Sequence, residues 1–141
     1  VNFLLDTNVI SEWAKPRPDL RVLEWFSVVD EGSVYLSAIT MTEIRLGIDR
    51  LPASRKKSAL SNWLEMDMVQ RFEGRIIPID LAVADTAGRI LAKKVRHGMS
   101  DDMADALLAA TAQVYQLTLV TRNTRHFKKL NLMLFNPWIG A

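Results

Sequence analysis

Five short apolar runs, all but the last leading into a stretch with helical spacing, constrain this chain more than any other feature. The runs cover residues 2–5, 34–37, 75–79, 118–121 and 132–135; they are rich in Leu, β-branched and aromatic residues and show no regular polar alternation. Such runs suit strands buried on both faces, the situation of a parallel sheet with helices above and below it. Between them apolar residues recur at helical intervals: Val22, Leu23 and Phe26; Ile44, Ile48 and Leu51; Leu60, Trp63, Leu64 and Met68; Val83, Ala87, Ile90 and Leu91; Leu108, Ala112 and Tyr115. Asp19 and Asp80 stand where N-caps belong, and Gly98 follows the basic residues 93–97, where a helix should end. Strands separated by helices join through crossovers, so the sequence predicts an α/β fold: a three-layer sandwich whose mainly parallel sheet of about five strands is flanked by helices. Residues 52–72 are expected to add one or two helices. No linker or repeat interrupts the pattern, and residues 1–141 are expected to form a single domain.

Several function classes are excluded by what is missing. The chain has no Cys and two His, His97 and His126, which removes disulfide frameworks, thiolate zinc sites and Cys nucleophiles. The longest small or apolar run, residues 104–114, is too short and too polar to span a bilayer, and no basic stretch leads into a signal-type core, so a cytoplasmic protein is expected. The net charge is only +2, yet bases cluster at Arg55-Lys56-Lys57, at Lys93-Lys94-Val95-Arg96 and over residues 122–129. Clusters of this kind attract polyanions, although each alone also suits a solvated helix face.

Three acids carry the chemical argument. Asp6 ends the first apolar run in Leu4-Leu5-Asp6-Thr7-Asn8-Val9-Ile10-Ser11-Glu12, where Asp6, Thr7 or Asn8 could cap the next helix, or Asp6 could be a ligand at the carboxyl end of a strand. Glu43 is expected to open the helix after the second strand, where a capping box with Thr40 would account for it equally well. Asp105 shares a helix face with Leu108, Ala109 and Ala112; a carboxylate on such a face is costly unless it meets a cation or donors. All three can reach one rim of a parallel sheet. Carboxylates gathered there repel, and Mg²⁺ or Mn²⁺, which prefer oxygen ligands and retain waters, suit such a cluster better than zinc.

Four motifs occur in register over the whole chain: Leu5-Asp6-Thr7-Asn8, Thr42-Glu43, Asp105 to Ala112, and Leu119-Val120-Thr121-Arg122-Asn123. In this the chain resembles the PIN-domain ribonucleases, in particular the VapC toxins of bacterial toxin–antitoxin pairs and the similar FitB group, whose ending is resembled by Phe135-Asn136-Pro137-Trp138. The resemblance implies a metal-dependent endoribonuclease with Asp6, Glu43 and Asp105 as its acidic pocket. Asp6 and Asp105 would be direct ligands of Mg²⁺ or Mn²⁺, Glu43 and Asn123 weaker ones. Thr7, Asn8 and Thr121 would shape the site, and Arg122 and Arg125 would hold the RNA backbone. It further implies a homodimer and a cognate antitoxin that covers the site, with DNA contacted only through the antitoxin complex. One departure is visible: Asn123 and His126 occupy places where relatives carry a fourth acid, which points to one firmly held ion, with Asp101 or Asp102 as conceivable substitutes.

Rival readings fit less well. An aspartyl-phosphate hydrolase wants a second Asp two residues after Asp6, where this chain has Asn8; a receiver-like switch wants a strand-end Lys, which is not evident. The alternative from a different class is a non-catalytic partner in an antitoxin complex that binds operator DNA; no base-reading helix of its own is evident. Trp25, Trp63 and Met68 are candidates for a dimer face, or else for the core.

Overall fold

The computed structural model describes residues 1–93 and 103–140. Its sheet has five strands, β1 (Phe3–Leu5), β2 (Val34–Ser37), β3 (Ile76–Ile77), β4 (Thr118–Val120) and β5 (Leu134–Phe135), in the order β3-β2-β1-β4-β5 with every neighbouring pair parallel. The expected five-stranded α/β architecture is therefore present. The outer runs shorten most: residues 75–79 contribute two ladder residues and so do residues 132–135, because an edge strand has a partner on one side only. The register sets Leu5 of β1 opposite Val120 of β4.

Successive strand residues point to opposite faces, and both faces are covered. Leu4, Leu119 and Ile77 pack under α6 (Leu81–Ala92) and α7 (Met103–Tyr115). Leu5, Val120, Val34 and Leu36 pack on the other side, against α1 (Thr7–Ile10), α2 (Leu20–Val28), α3 (Ala38–Asp49) and the helical segment that follows. Leu4, Leu5, Leu36 and Leu119 are fully buried, each burial contributing about 1.5–3 kcal/mol. The absence of polar alternation in these runs follows from this two-sided burial. On the second face Trp13 stacks on Phe26 at 4.3 Å, and Phe3 meets Trp25 edge-on at 5.4 Å. Trp25 and Trp63 pack against this core and Met68 lies within it, so their burial serves the fold.

Helix starts follow local chemistry. Asp19 accepts from Arg21 N–H at 2.8 Å and Asp80 from Val83 N–H at 2.9 Å, as expected of N-caps. Asp80 also accepts from the Tyr115 hydroxyl, tying the start of α6 to the end of α7. Residues 55–71 form one continuous helical rod in which α4 (Arg55–Asn62) passes through a π-helical segment, Trp63–Met68, into α5 (Val69–Arg71). After it Gly74 turns the chain into β3 with φ at +76°, a conformation that suits glycine. The expected stop at Gly98 and the candidates Asp101 and Asp102 lie outside the described residues. Among the described residues no helix is long and apolar enough to cross a membrane.

Candidate active site

Two central strands end side by side and set the site. Asp6 N–H bonds Val120 C=O at 2.9 Å, extending the β1–β4 ladder by one residue and holding Asp6 at the carboxyl rim of the sheet. Its carboxylate is almost covered and takes one hydrogen bond on each oxygen, from Thr7 N–H at 2.7 Å and from Thr121 Oγ1–H at 2.7 Å. Thr121, fully buried, in turn accepts from Asn123 N–H at 3.0 Å, so two residues after β4, Thr121 and Asn123, serve this one carboxylate through a relay. The Thr7 hydroxyl donates to Glu43 Oε1 at 2.6 Å. Thr7 thus bridges two of the three acids, its amide on Asp6 and its hydroxyl on Glu43.

Of the three capping candidates Thr7 and Asn8 do not cap α1; Asp6 does, accepting from Thr7 N–H, because the helix begins directly at the end of β1. Nor does Glu43 lie in a first turn: β2 runs straight into α3, Ser37 caps it by accepting from Ile39 N–H at 3.2 Å, and Glu43 falls in the helix's second turn. The capping box with Thr40 does not form; the Thr40 hydroxyl is buried, with no partner among the described residues. Losing its bland explanation strengthens the functional one for Glu43.

Asp105 stands in the first turn of α7, partly exposed, and its Oδ2 lies 3.2 Å from His126 Nδ1. Electrostatics link the three acids. Burial pushes the Asp6 carboxyl above its ordinary value; the Thr121 and Thr7 hydrogen bonds oppose this, and the charges of Asp105 and Glu43 raise it further. Ionised Asp6 is thus compensated by neutral donors while it faces two like charges. That is the electrostatic condition an incoming divalent cation relieves, and the donors on offer are carboxylate oxygens, which suit Mg²⁺ or Mn²⁺. Among the described residues no three His, Asp or Glu side chains are gathered tightly enough to enclose an ion by themselves.

The remaining residues divide. Asn123 acts through its backbone, and its exposed side chain makes no hydrogen bond among the described residues; Arg125 is exposed in the short helix Thr124–His126 and contacts none of the acids. Asn8 is half-buried, and no donor among the described residues reaches its side-chain oxygen. Arg122 is exposed and lies over the Trp138 ring. Sequence reasoning missed the His126–Asp105 contact and the Arg122–Trp138 stack, since nothing local marks a pairing between residues far apart in the chain. It also passed over Glu12, whose buried carboxylate accepts from Asp19 N–H at 2.9 Å and pairs with Lys15, closing the loop before α2.

A cavity of about 300 Å³ opens beside Thr7 and Glu43, walled by Ile44, Ile48, Leu51 and Trp63. A larger one of about 500 Å³, between Ala112, Gln116, Thr118 and Asn131, lies at the other end of the sheet, away from the acids. The donor relay yields a prediction: Thr121→Val should lower any metal-dependent activity of the site by about 10–100-fold, the usual consequence of removing a ligand's supporting hydrogen bond. Steady-state rates checked against an unchanged circular dichroism spectrum would measure it; wild-type rates would show that Asp6 does not need this donor.

The chain is similar to known proteins over nearly its whole length. The PIN domain family matches residues 3–131. The toxin FitB of Neisseria gonorrhoeae is 43% identical over 135 residues, covering 96% of this chain and 97% of that protein. A VapC ribonuclease of Sinorhizobium fredii is 36% identical over 138 residues, covering 98% and 99%. Among solved structures, FitAB bound to a DNA fragment superposes with a TM-score of 0.86 at 41% identity, covering 96% of this chain and 95% of that one.

Proposed function

The chain belongs to the PIN-domain family, and from that premise we propose that it is an endoribonuclease, the toxin of a toxin–antitoxin pair, dependent on Mg²⁺ or Mn²⁺. The observation that carries the reading is Thr7 joining Asp6 to Glu43 while Asp105 acts on Asp6 through its charge. Relatives named as a toxin and as a VapC ribonuclease, matched over nearly their full length, support it.

Asp6 and Asp105 would hold the divalent ion, with Glu43 and Asn123 as weaker contributors. When bound, such an ion supplies charge stabilisation at a phosphodiester and lowers the pKa of water. The protein's own part is positional. Thr121 and Thr7 fix both oxygens of Asp6, so its carboxylate enters the reaction in one orientation. Glu43, with one oxygen engaged by Thr7, retains the other to orient the attacking water and accept its proton. Arg122 and Arg125, exposed on the segment after β4, carry the RNA backbone past the acids.

Partners follow from the same premise. The matched FitAB structure is a complex on DNA, and we assign to this chain a cognate antitoxin that supplies the DNA contact, with a homodimer as the assembled toxin. The apolar-walled cavity beside Glu43 is a fitting seat for an antitoxin segment that closes the site. We place the protein in the cytoplasm.

The test is cleavage of RNA by the purified protein. Mg²⁺ or Mn²⁺ should support cutting, and EDTA should abolish it. Restoration on adding back the ion would follow. Cutting that persists in EDTA would remove the metal from the mechanism, and no cutting by pure, folded, metal-loaded protein would favour the non-catalytic role in an operator-binding complex.

A further inference from the structure

Arg122 directly follows Thr121, the residue that donates to Asp6, so its side chain leaves the backbone at the rim of the acid site. Its guanidinium carbon lies 5.2 Å from the centroid of the Trp138 ring. Trp138 is 5% exposed, too covered to offer a face to a base; the accessible group is the guanidinium above it. The tryptophan is seated by the segment that also braces the site. Phe135 pairs with Val120 in the ladder and its C=O accepts from Thr121 N–H at 2.9 Å. Asn136 donates from Nδ2 to the Arg122 carbonyl at 3.4 Å and accepts from Trp138 N–H at 2.9 Å. Residues 135–138 therefore clamp the backbone at residues 121–122 and hold an indole ring against the Arg122 side chain.

Two other arginines lie over rings but have their N–H groups engaged: Arg71, over Trp13, pairs with Glu31, and Arg75, over Phe72, donates to backbone carbonyls, whereas among the described residues no carboxylate lies within ion-pair distance of Arg122. A guanidinium drawn to a ring by cation–π attraction is confined there while its N–H groups stay free to donate, and its planar fork matches two phosphate oxygens. We propose that Trp138 is a positioning residue for Arg122, and that the stacked pair is a subsite for an RNA phosphodiester beside the acids. This rests on the ribonuclease reading above.

The test uses the full chain, a fluorescein-labelled single-stranded RNA bound in EDTA to give Kd, and cleavage in Mg²⁺ to give kcat and KM. Trp138→Leu should raise Kd and KM by about two- to fivefold and change kcat by less than about twofold. Trp138→Phe, which keeps a flat ring, should recover most of the loss. In an Arg122→Ala background Trp138→Leu should add nothing further, because the tryptophan acts through the arginine. Equal factors with and without Arg122, or a fall in kcat at constant KM, would overturn the proposal. If Trp138→Leu does not fold, Arg122→Lys decides: it keeps the charge and loses the flat fork, so the same two- to fivefold weakening is expected, and wild-type affinity refutes the stack. Wild-type protein that neither binds nor cuts RNA would mark failure of the ribonuclease reading itself; wild-type protein that cuts RNA with independent factors would mark failure of this subsite alone.

Discussion

Asp6→Asn should abolish RNA cleavage, by at least about a thousandfold, and at the same time make the metal-free protein more stable. The first effect follows because, in the proposed mechanism, Asp6 is a ligand of the divalent ion, and losing its charge forfeits an ion that would take several kcal/mol off the barrier, at about 1.4 kcal/mol per tenfold in rate. The second follows from the sign of the shift at Asp6. Its carboxyl is raised above the ordinary aspartate value of 3.8 by burial and by the charges of Asp105 and Glu43. The folded state thus prefers the neutral acid. No penalty exists below pH 3.8; it develops as the pH rises through the raised folded value, and it is complete above that value. Asparagine carries no charge and can still accept a hydrogen bond from Thr121 or Thr7. Thermal unfolding in EDTA at neutral pH should therefore show a higher Tm for the variant, with the advantage vanishing in acid. Added Mg²⁺ or Mn²⁺ should raise the Tm of the wild type and leave the variant unmoved, since a ligand stabilises only the state that binds it. A variant less stable than wild type in EDTA at neutral pH would contradict the repulsive pocket.

Ala109→Leu should destabilise the fold by about 1–3 kcal/mol, the range for overpacking a filled core, with a fall in Tm of roughly 2–4 °C per kcal/mol. Ala109 and Ala110 are fully buried on α7 and pack into the core with Leu4, Leu119 and Phe127. Small side chains here let the helix approach the β1–β4 face closely, and three methylene-sized additions have no space to enter. Asp105 lies one turn earlier on the same helix, so displacing α7 should also move that carboxylate and lower cleavage by more than the unfolded fraction accounts for. Differential scanning calorimetry together with a rate per folded molecule would separate the two losses. A wild-type Tm would mean that the alanine face is not closely packed.

How much of this was legible beforehand can be judged residue by residue. The five strands and their parallel order of layers were readable because apolar runs without alternation have one economical placement, between two layers of helices. The caps at Asp19 and Asp80 were readable because an N-cap is decided within three residues. Glu43 shows the limit. Its spacing from Thr40 suited a capping box, yet the helix begins at Ala38, because the end of β2 and the Ser37 hydroxyl set the start. Trp138 was visible as part of a motif with no assigned task, and His126 as the place of a missing acid.

The sequence by itself determined the elements, their layering and the types of residue available for chemistry, because helical and strand periodicity and capping are local and repeat along the chain. Only the tertiary structure decided which of those residues act together. Thr121 reaches Asp6 across 115 residues and Thr7 reaches Glu43 across 36. The first pairing exists because β4 lies beside β1 in register, and the second because β2, which runs straight into α3, flanks β1 on its other side; hydrogen bonds formed over less than 3 Å depend on those registers rather than on any pattern along the chain.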